Sequence, residues 1–196
     1  NLTEAMLGGG ATQLYLERLM LLDGVSGGRF PDPEPWRMLR VAKKHARPVY
    51  HLEPSMEDEE WVEHLEREAD QLTRWRTLLK IPRQGRRFSK LLKVAKGSSS
   101  PPPDGPMELQ VASALAAAWW WLIEESLSPE LSLERDQRIA SRLRGAMADL
   151  RSRFGNEATL MVPSLQVRIA ELVKILDSGV EPETANGGTS SDDEEE

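Results

Sequence analysis

Cysteine is absent from all 196 residues, which excludes disulfides, zinc–thiolate centres, iron–sulfur clusters and thiol catalysis. Long apolar runs are missing too. The longest, Val111 to Ile123, holds 13 residues including Ser113. That falls short of the ~20 residues a bilayer span requires and suits a buried helix. No charged-then-apolar leader opens the chain, so it reads as soluble and intracellular. The three histidines, His45, His51 and His64, form no H-E-x-x-H arrangement. Nor is there a phosphate-binding P-loop, a G-x-G-x-x-G turn or a G-x-S-x-G elbow.

Charge is plentiful but segregated. Residues 181–196 carry seven of the acids and no base, which accounts for the whole net charge of −7 and leaves the body neutral. Within the body, Glu53 to Asp70 holds nine acids against Arg67 alone, and Arg74 to Lys96 holds nine bases and no acid. Adjacent blocks of opposite sign either attract one another inside the fold or face different partners.

Periodicity predicts a mostly helical chain. Residues 1–10 end in Gly8-Gly9-Gly10 and read as a frayed end, with a helix from Thr12, its cap, to Leu22 and a core stripe of Leu16, Leu19 and Met20. Residues 24–35 are a Gly/Pro loop, and Pro35 to His45 a helix with Trp36, Leu39 and Ala42 or Lys43 inward. Arg47 to Leu52 reads as a strand. A long helix from Glu57 to Leu79, capped by Ser55 and stopped by Pro82, places Trp61, Leu65, Ala69 or Glu68, Leu72, Trp75 and Leu79 on one stripe. A short basic helix follows around Phe88, Leu91 and Leu92.

Residues 97–106 form a Ser/Pro linker. Met107 to Ser126 reads as a buried helix, broken by Pro129 and Glu130. The next, from Ser132 to Phe154, sets Ile139, Leu143, Met147, Leu150 and Phe154 at helical spacing. Residues 158–163 form a second strand, and Ser164 caps a last helix to Leu176. The expected fold is therefore α/β and predominantly helical, with few short strands among long amphipathic helices. Its two halves, 11–96 and 107–177, make one domain, and 178–196 is a disordered acidic tail.

Three groups of residues carry chemistry. His51 and Glu53 share one face of the first strand, and Glu60 and His64 one face of a helix; either pair could contribute to a metal site, though two ligands do not complete one. Arg83, Arg86, Arg87, Lys90 and Lys93 form a patch for an anionic partner, with Phe88 its only aromatic and so no evident base-stacking platform. Ser190 and Ser191, followed by acids, suit acid-directed phosphorylation. Trp119 to Trp121 point in three directions on a helix, toward the core or toward a partner surface.

Three blocks in order resemble the TraB family, which is named for a plasmid pheromone-shutdown protein. They are Leu14 to Val25 with Gly27-Gly28 and then Trp36 to Leu52; Trp61 to Ile81; and Leu133-Glu134-Arg135-Asp136 through Leu143, with Thr159 to Val162 and Leu165 to Leu176. The resemblance implies an α/β fold and, for the eukaryotic relatives, association with the mitochondrial outer membrane. Related families are metal-dependent hydrolases using His and Glu. Here the Asp-Arg after the strand is His51-Leu52-Glu53-Pro54, and Pro163-Ser164-Leu165-Gln166 stands where the family has Gly-x-Gly-His. Glu134, Arg135 and Asp136 then survive as a structural ion-pair network.

Three readings follow. The leading one is a divergent TraB-like domain, more a non-catalytic binding or regulatory module than an enzyme, with a protein partner ahead of an anionic lipid surface or nucleic acid. The second is a metal-dependent hydrolase whose missing ligands lie before Asn1, holding a divalent metal through Glu134, Asp136 or His51. The third is a helical adaptor without a central sheet.

Overall fold

The computed structural model describes residues 9–22, 34–79, 81–98, 107–162, 166–185 and 187–188. In chain order these form α1 (Gly9–Leu19), α2 (Glu34–Lys44), β1 (Val49–Tyr50), α3 (Glu59–Thr73), the single turn α4 (Trp75–Leu78), α5 (Ile81–Ser98), α6 (Met107–Glu124), α7 (Pro129–Phe154), α8 (Gln166–Asp177) and β2 (Gly187–Gly188). The fold is predominantly helical. Among the described residues, strand is confined to one antiparallel ladder in which Val49 faces Gly188 and Tyr50 faces Gly187. The expected α/β layer is not formed among the described residues. Residues 158–162 run as irregular chain, and Pro48, without an N–H, shortens the first strand from its N-terminal side.

Two compact units divide the chain. The first gathers residues 63–133 with α1 and residues 165–167. Its core is made by Phe88, Leu91, Leu92 and Ala95 of α5 against Ala114, Leu115, Ala117, Ala118 and Leu122 of α6. The alanines let the two helices approach closely, and Phe88 and Leu115 are almost wholly buried. Each contributes about 1.5–3 kcal/mol on burial. Against this pair α1 lays Leu14, Tyr15 and Leu19, with Leu22 just beyond its end. The inward stripe thus differs from the expected one, since Leu16 and Met20 are exposed. Thr12 is no cap: its hydroxyl accepts the Trp119 indole N–H at 3.1 Å, and that choice of face turns Leu16 and Met20 outward. Trp119 packs on Tyr15 with centroids 5.6 Å apart, Trp121 joins the core, and Trp120 is half-buried.

The helix expected over 57–79 breaks at Arg74, whose φ −55°, ψ 139° is extended. Thr73 donates to the Ala69 carbonyl at 2.8 Å, and Thr77 to the Gln71 carbonyl at 2.9 Å across the break. The change of phase turns Trp75 and Leu79 outward, 65% and 66% exposed, although spacing alone placed them on the inner stripe. Pro82 does not stop a helix but sits in the first turn of α5, where a missing N–H costs nothing. Likewise Pro129 opens α7, with Ser128 as its cap accepting the Leu131 N–H. The cap of α3 is Asp58, which accepts the Trp61 N–H at 3.0 Å; Ser55 instead closes a small turn with the Glu57 N–H.

The second unit gathers residues 28–62, 134–164 and 168–196. Ile139, Ala140 and Leu172 form its core, joined by Leu52, Ile175, Leu176 and Val180. Leu150 continues the buried stripe of α7, whereas Phe154 at its end is exposed. Arg144 donates to the Leu176 carbonyl at 2.6 Å and so caps α8.

Residues 178–185, which composition places in a disordered tail, are ordered. The Glu183 N–H donates to the Ser141 carbonyl at 3.0 Å, and Ala185 is buried. Residues 189–196, the linker residues 99–106 and Ser164 lie outside the described residues, as do the Trp36 side chain and the expected frayed end at 1–8.

Candidate functional site

Helix α5 has two opposed faces. Phe88, Leu91, Leu92 and Ala95 hold one against α6, while Arg83, Arg86, Arg87, Lys90 and Lys93 all stand exposed on the other. At 100° per residue the five cations fall within about 120° of arc, centred opposite the buried stripe. Arg87 is engaged, donating from Nε to Glu125 Oε2 at 2.8 Å and from Nη2 to Oε1. No carboxylate partner meets Arg83, Arg86, Lys90 or Lys93 among the described residues. Val94, 58% exposed, is the apolar member of this surface. Since the core fixes the opposite face, the cations are presented on a rigid rod rather than on a mobile loop.

The Glu-Arg-Asp triplet is used differently. Arg135 and Asp136 are buried, and Glu134 is exposed. Asp136 Oδ1 accepts Arg135 Nε at 3.2 Å and Arg168 Nη2 at 3.1 Å, bringing α7 and α8 together in the second unit. One carboxylate thus answers two guanidinium groups.

Sequence reasoning missed the larger network beside it. Arg138 meets Asp58 Oδ2 at 2.6 Å, Glu60 Oε2 at 2.9 Å and Glu183 Oε2 at 2.7 Å. Arg142, buried, donates to Glu183 Oε1 and the Thr184 carbonyl, both at 3.2 Å, and to the His51 carbonyl at 3.0 Å. The signal was present in part, because the acids opening α3 and the bases of α7 are both dense. The partner Glu183 lay in a segment that composition marks as tail.

His51 and Glu53 are exposed, and His51 contributes its carbonyl rather than its ring to the contacts of Arg142. Glu60 is taken by Arg138, and His64 Nε2 lies 3.3 Å from Glu68 Oε1. No group of three or more potential ligands is assembled among the described residues. Tyr50 donates to Asp149 Oδ2 at 2.6 Å. Burial, then the Asp149 bond, holds the Tyr50 hydroxyl above its ordinary value of 10.0, while that bond from Tyr50 holds the Asp149 carboxyl below its own. Ser190 and Ser191 fall outside the described residues. No helix among the described residues is long and apolar enough to cross a membrane.

Compared with known proteins, the chain matches no family model, no curated protein and no solved structure.

Proposed function

We propose that the chain is a non-catalytic binding module, a divergent relative of the TraB domain, which engages an acidic segment of a protein partner through α5. The observation that supports this is the stripe of Arg83, Arg86, Lys90 and Lys93, exposed on a helix whose other face is fixed in a core. A helix held this way cannot turn an apolar face into a bilayer, and the stripe has no aromatic on which bases would stack. Carboxylates of a protein segment match it best, two of its four open cations being guanidinium groups that can grip them bidentately. The engagement of Asp136 with Arg135 and Arg168 supports a structural rather than ligand-holding part for the Glu134–Asp136 triplet. On this reading the module acts inside the cell, at the mitochondrial outer membrane, and phosphate on Ser190 or Ser191 adds to the acidity of the tail.

The test is fluorescence anisotropy with a labelled deca-glutamate peptide, on the chain and on R83E/R86E/K90E/K93E. Binding that weakens about tenfold or more in the variant, and weakens with salt, is expected. Equal affinity of the two proteins, or binding of phosphatidylserine vesicles or single-stranded RNA in place of the peptide, contradicts the proposal.

A further inference from the structure

Glu183 and Thr184 are held on α7, Ala185 is buried, and Gly187 and Gly188 pair with Tyr50 and Val49 in the second unit. Residues 189–196, which follow this anchored stretch, lie outside the described residues. Their composition is one-sided. Asp192, Asp193, Glu194, Glu195 and Glu196 stand in an unbroken row with no base among them. Phosphate on Ser190 or Ser191, immediately before, would lengthen that row.

The exposed stripe of α5 calls for such a segment, and the dimensions agree. Arg83 and Lys93 lie ten positions apart on one helix, about 15 Å along its axis. Five acids in extended chain reach roughly 13 Å from first to last. The four open cations thus match a row of acids of nearly the same length and opposite sign. The other dense run of acids, in and before α3, fits less well. Arg67 interrupts it, and Asp58 and Glu60 are already engaged by Arg138.

Reach favours a second copy as the place of contact. Asp192 is four residues beyond Gly188, at most about 14 Å of chain. An arm that short meets a surface of its own copy only where that surface already lies within reach. A second copy can bring its α5 to the arm from any direction.

We propose, on the strength of α5 as an acid-binding face, that residues 192–196 of one copy lie along the Arg83–Lys93 stripe of a second copy. The chain is then its own first ligand, and the acids of a protein partner must displace it. One copy supplies the acids and the other the bases, so reciprocal exchange between two copies closes a dimer.

The test is sedimentation velocity of the full chain at low salt, over about 10 μM to 1 mM. Two variants accompany it: D192N/D193N/E194Q/E195Q/E196Q, which leaves every described residue untouched, and R83E/R86E/K90E/K93E, whose fold circular dichroism verifies. We expect the parent to associate and each variant alone to stay monomeric. An equimolar mixture of the two variants should form a one-to-one pair, because one keeps the bases and the other the acids. That pairing should weaken about tenfold or more as salt shortens the Debye length from about 10 to 3 Å. The proposal is overturned by a parent that is monomeric throughout, by association that survives the tail substitutions, or by variants that fail to pair when mixed. It is also overturned if the tail competes with labelled deca-glutamate equally at every chain concentration, which places it on its own copy. Deca-glutamate binding to the tail-substituted chain separates the two claims. Binding there without self-association of the parent refutes the tail contact alone, whereas no binding refutes the acid-binding face and the tail contact with it.

Discussion

Replacing Gly145 by alanine should dislodge residues 179–185 from α7. A Cβ built on Gly145 would lie 1.7 Å from the Glu183 carbonyl oxygen and 2.7 Å from its carbonyl carbon. These are backbone atoms, so the segment has to move by well over 1 Å to reach ordinary contact. It is pinned against that movement by the Glu183 N–H bond to Ser141 and by the grip of Arg138 and Arg142 on the Glu183 carboxylate. Intrinsic propensity favours alanine over glycine in a helix by about 1 kcal/mol. Against that stand about 1 kcal/mol for the backbone hydrogen bond and about 1–3 kcal/mol for leaving the buried Arg142 guanidinium less well paired. The partly exposed pairs of Arg138 add less than about 1 kcal/mol each. The net is a local loss of about 1–3 kcal/mol. Hydrogen exchange read by mass spectrometry should show protection falling at 181–185 while the core of α5 and α6 is unchanged. Gly85→Ala is the control, because nothing lies within 4 Å of its added Cβ, and it should stabilise by about 0.5–1 kcal/mol. If Gly145→Ala behaves like Gly85→Ala, with 181–185 still protected, the close approach of the segment is refuted.

Further expectations follow from the same contacts. Asp136→Ala leaves the buried Arg135 and the half-buried Arg168 without their shared carboxylate and should cost about 2–4 kcal/mol by urea unfolding, whereas an unchanged midpoint would show the network to be idle. Gly155 ends α7 at φ +89°, its N–H bonded to the Arg151 carbonyl at 2.9 Å, so Gly155→Ala should lose about 1 kcal/mol in the same assay. Asp149, held below its ordinary range by Tyr50, stabilises above its unfolded value, and that contribution is lost as pH falls through the folded one. Tyr50, held above 10.0, stabilises below its unfolded value, and that contribution is lost as pH rises through the folded one. The stability gap between the chain and Tyr50→Phe should accordingly be widest between those two limits and close at both. Burial also raises Tyr15, so absorbance titration should show both tyrosines ionising above 10.0, and one ionising at or below it would count against the packing described. Zn²⁺, Mn²⁺ and Mg²⁺ should leave the melting temperature unmoved; a rise lost in Glu134→Ala would revive the hydrolase reading.

Helical periodicity carried most of what could be read in advance. The inward Phe88, Leu91 and Leu92 of α5 and Ile139 and Leu150 of α7 emerged from it because these residues recur at steps of three and four, although Phe154, at the end of the same stripe, is exposed. It failed where a single residue resets the phase. Arg74 does so in the middle of an otherwise continuous pattern and sends Trp75 and Leu79 outward. Proline was read as a stop at 82 and 129, but its tolerance of the first turn makes it a start at both. On α1 the expected stripe of Leu16, Leu19 and Met20 gave way to Leu14, Tyr15 and Leu19, because a tertiary bond, Trp119 to Thr12, sets which face is inward. The cationic face of α5 was legible because charge blocks are local in sequence. The Arg138–Arg142–Glu183 cluster was not, since it joins residues some 40 positions apart and one of them sits in a tail-like composition.

The claim that α5 is a recognition surface is tested most directly by mapping. Amide and side-chain NMR shifts of the isotope-labelled chain would be followed while the deca-glutamate peptide is added. The account predicts perturbations centred on Arg83, Arg86, Lys90 and Lys93 and absent from R83E/R86E/K90E/K93E. Perturbations that spread without focus, or that gather elsewhere and persist in that variant, would contradict it.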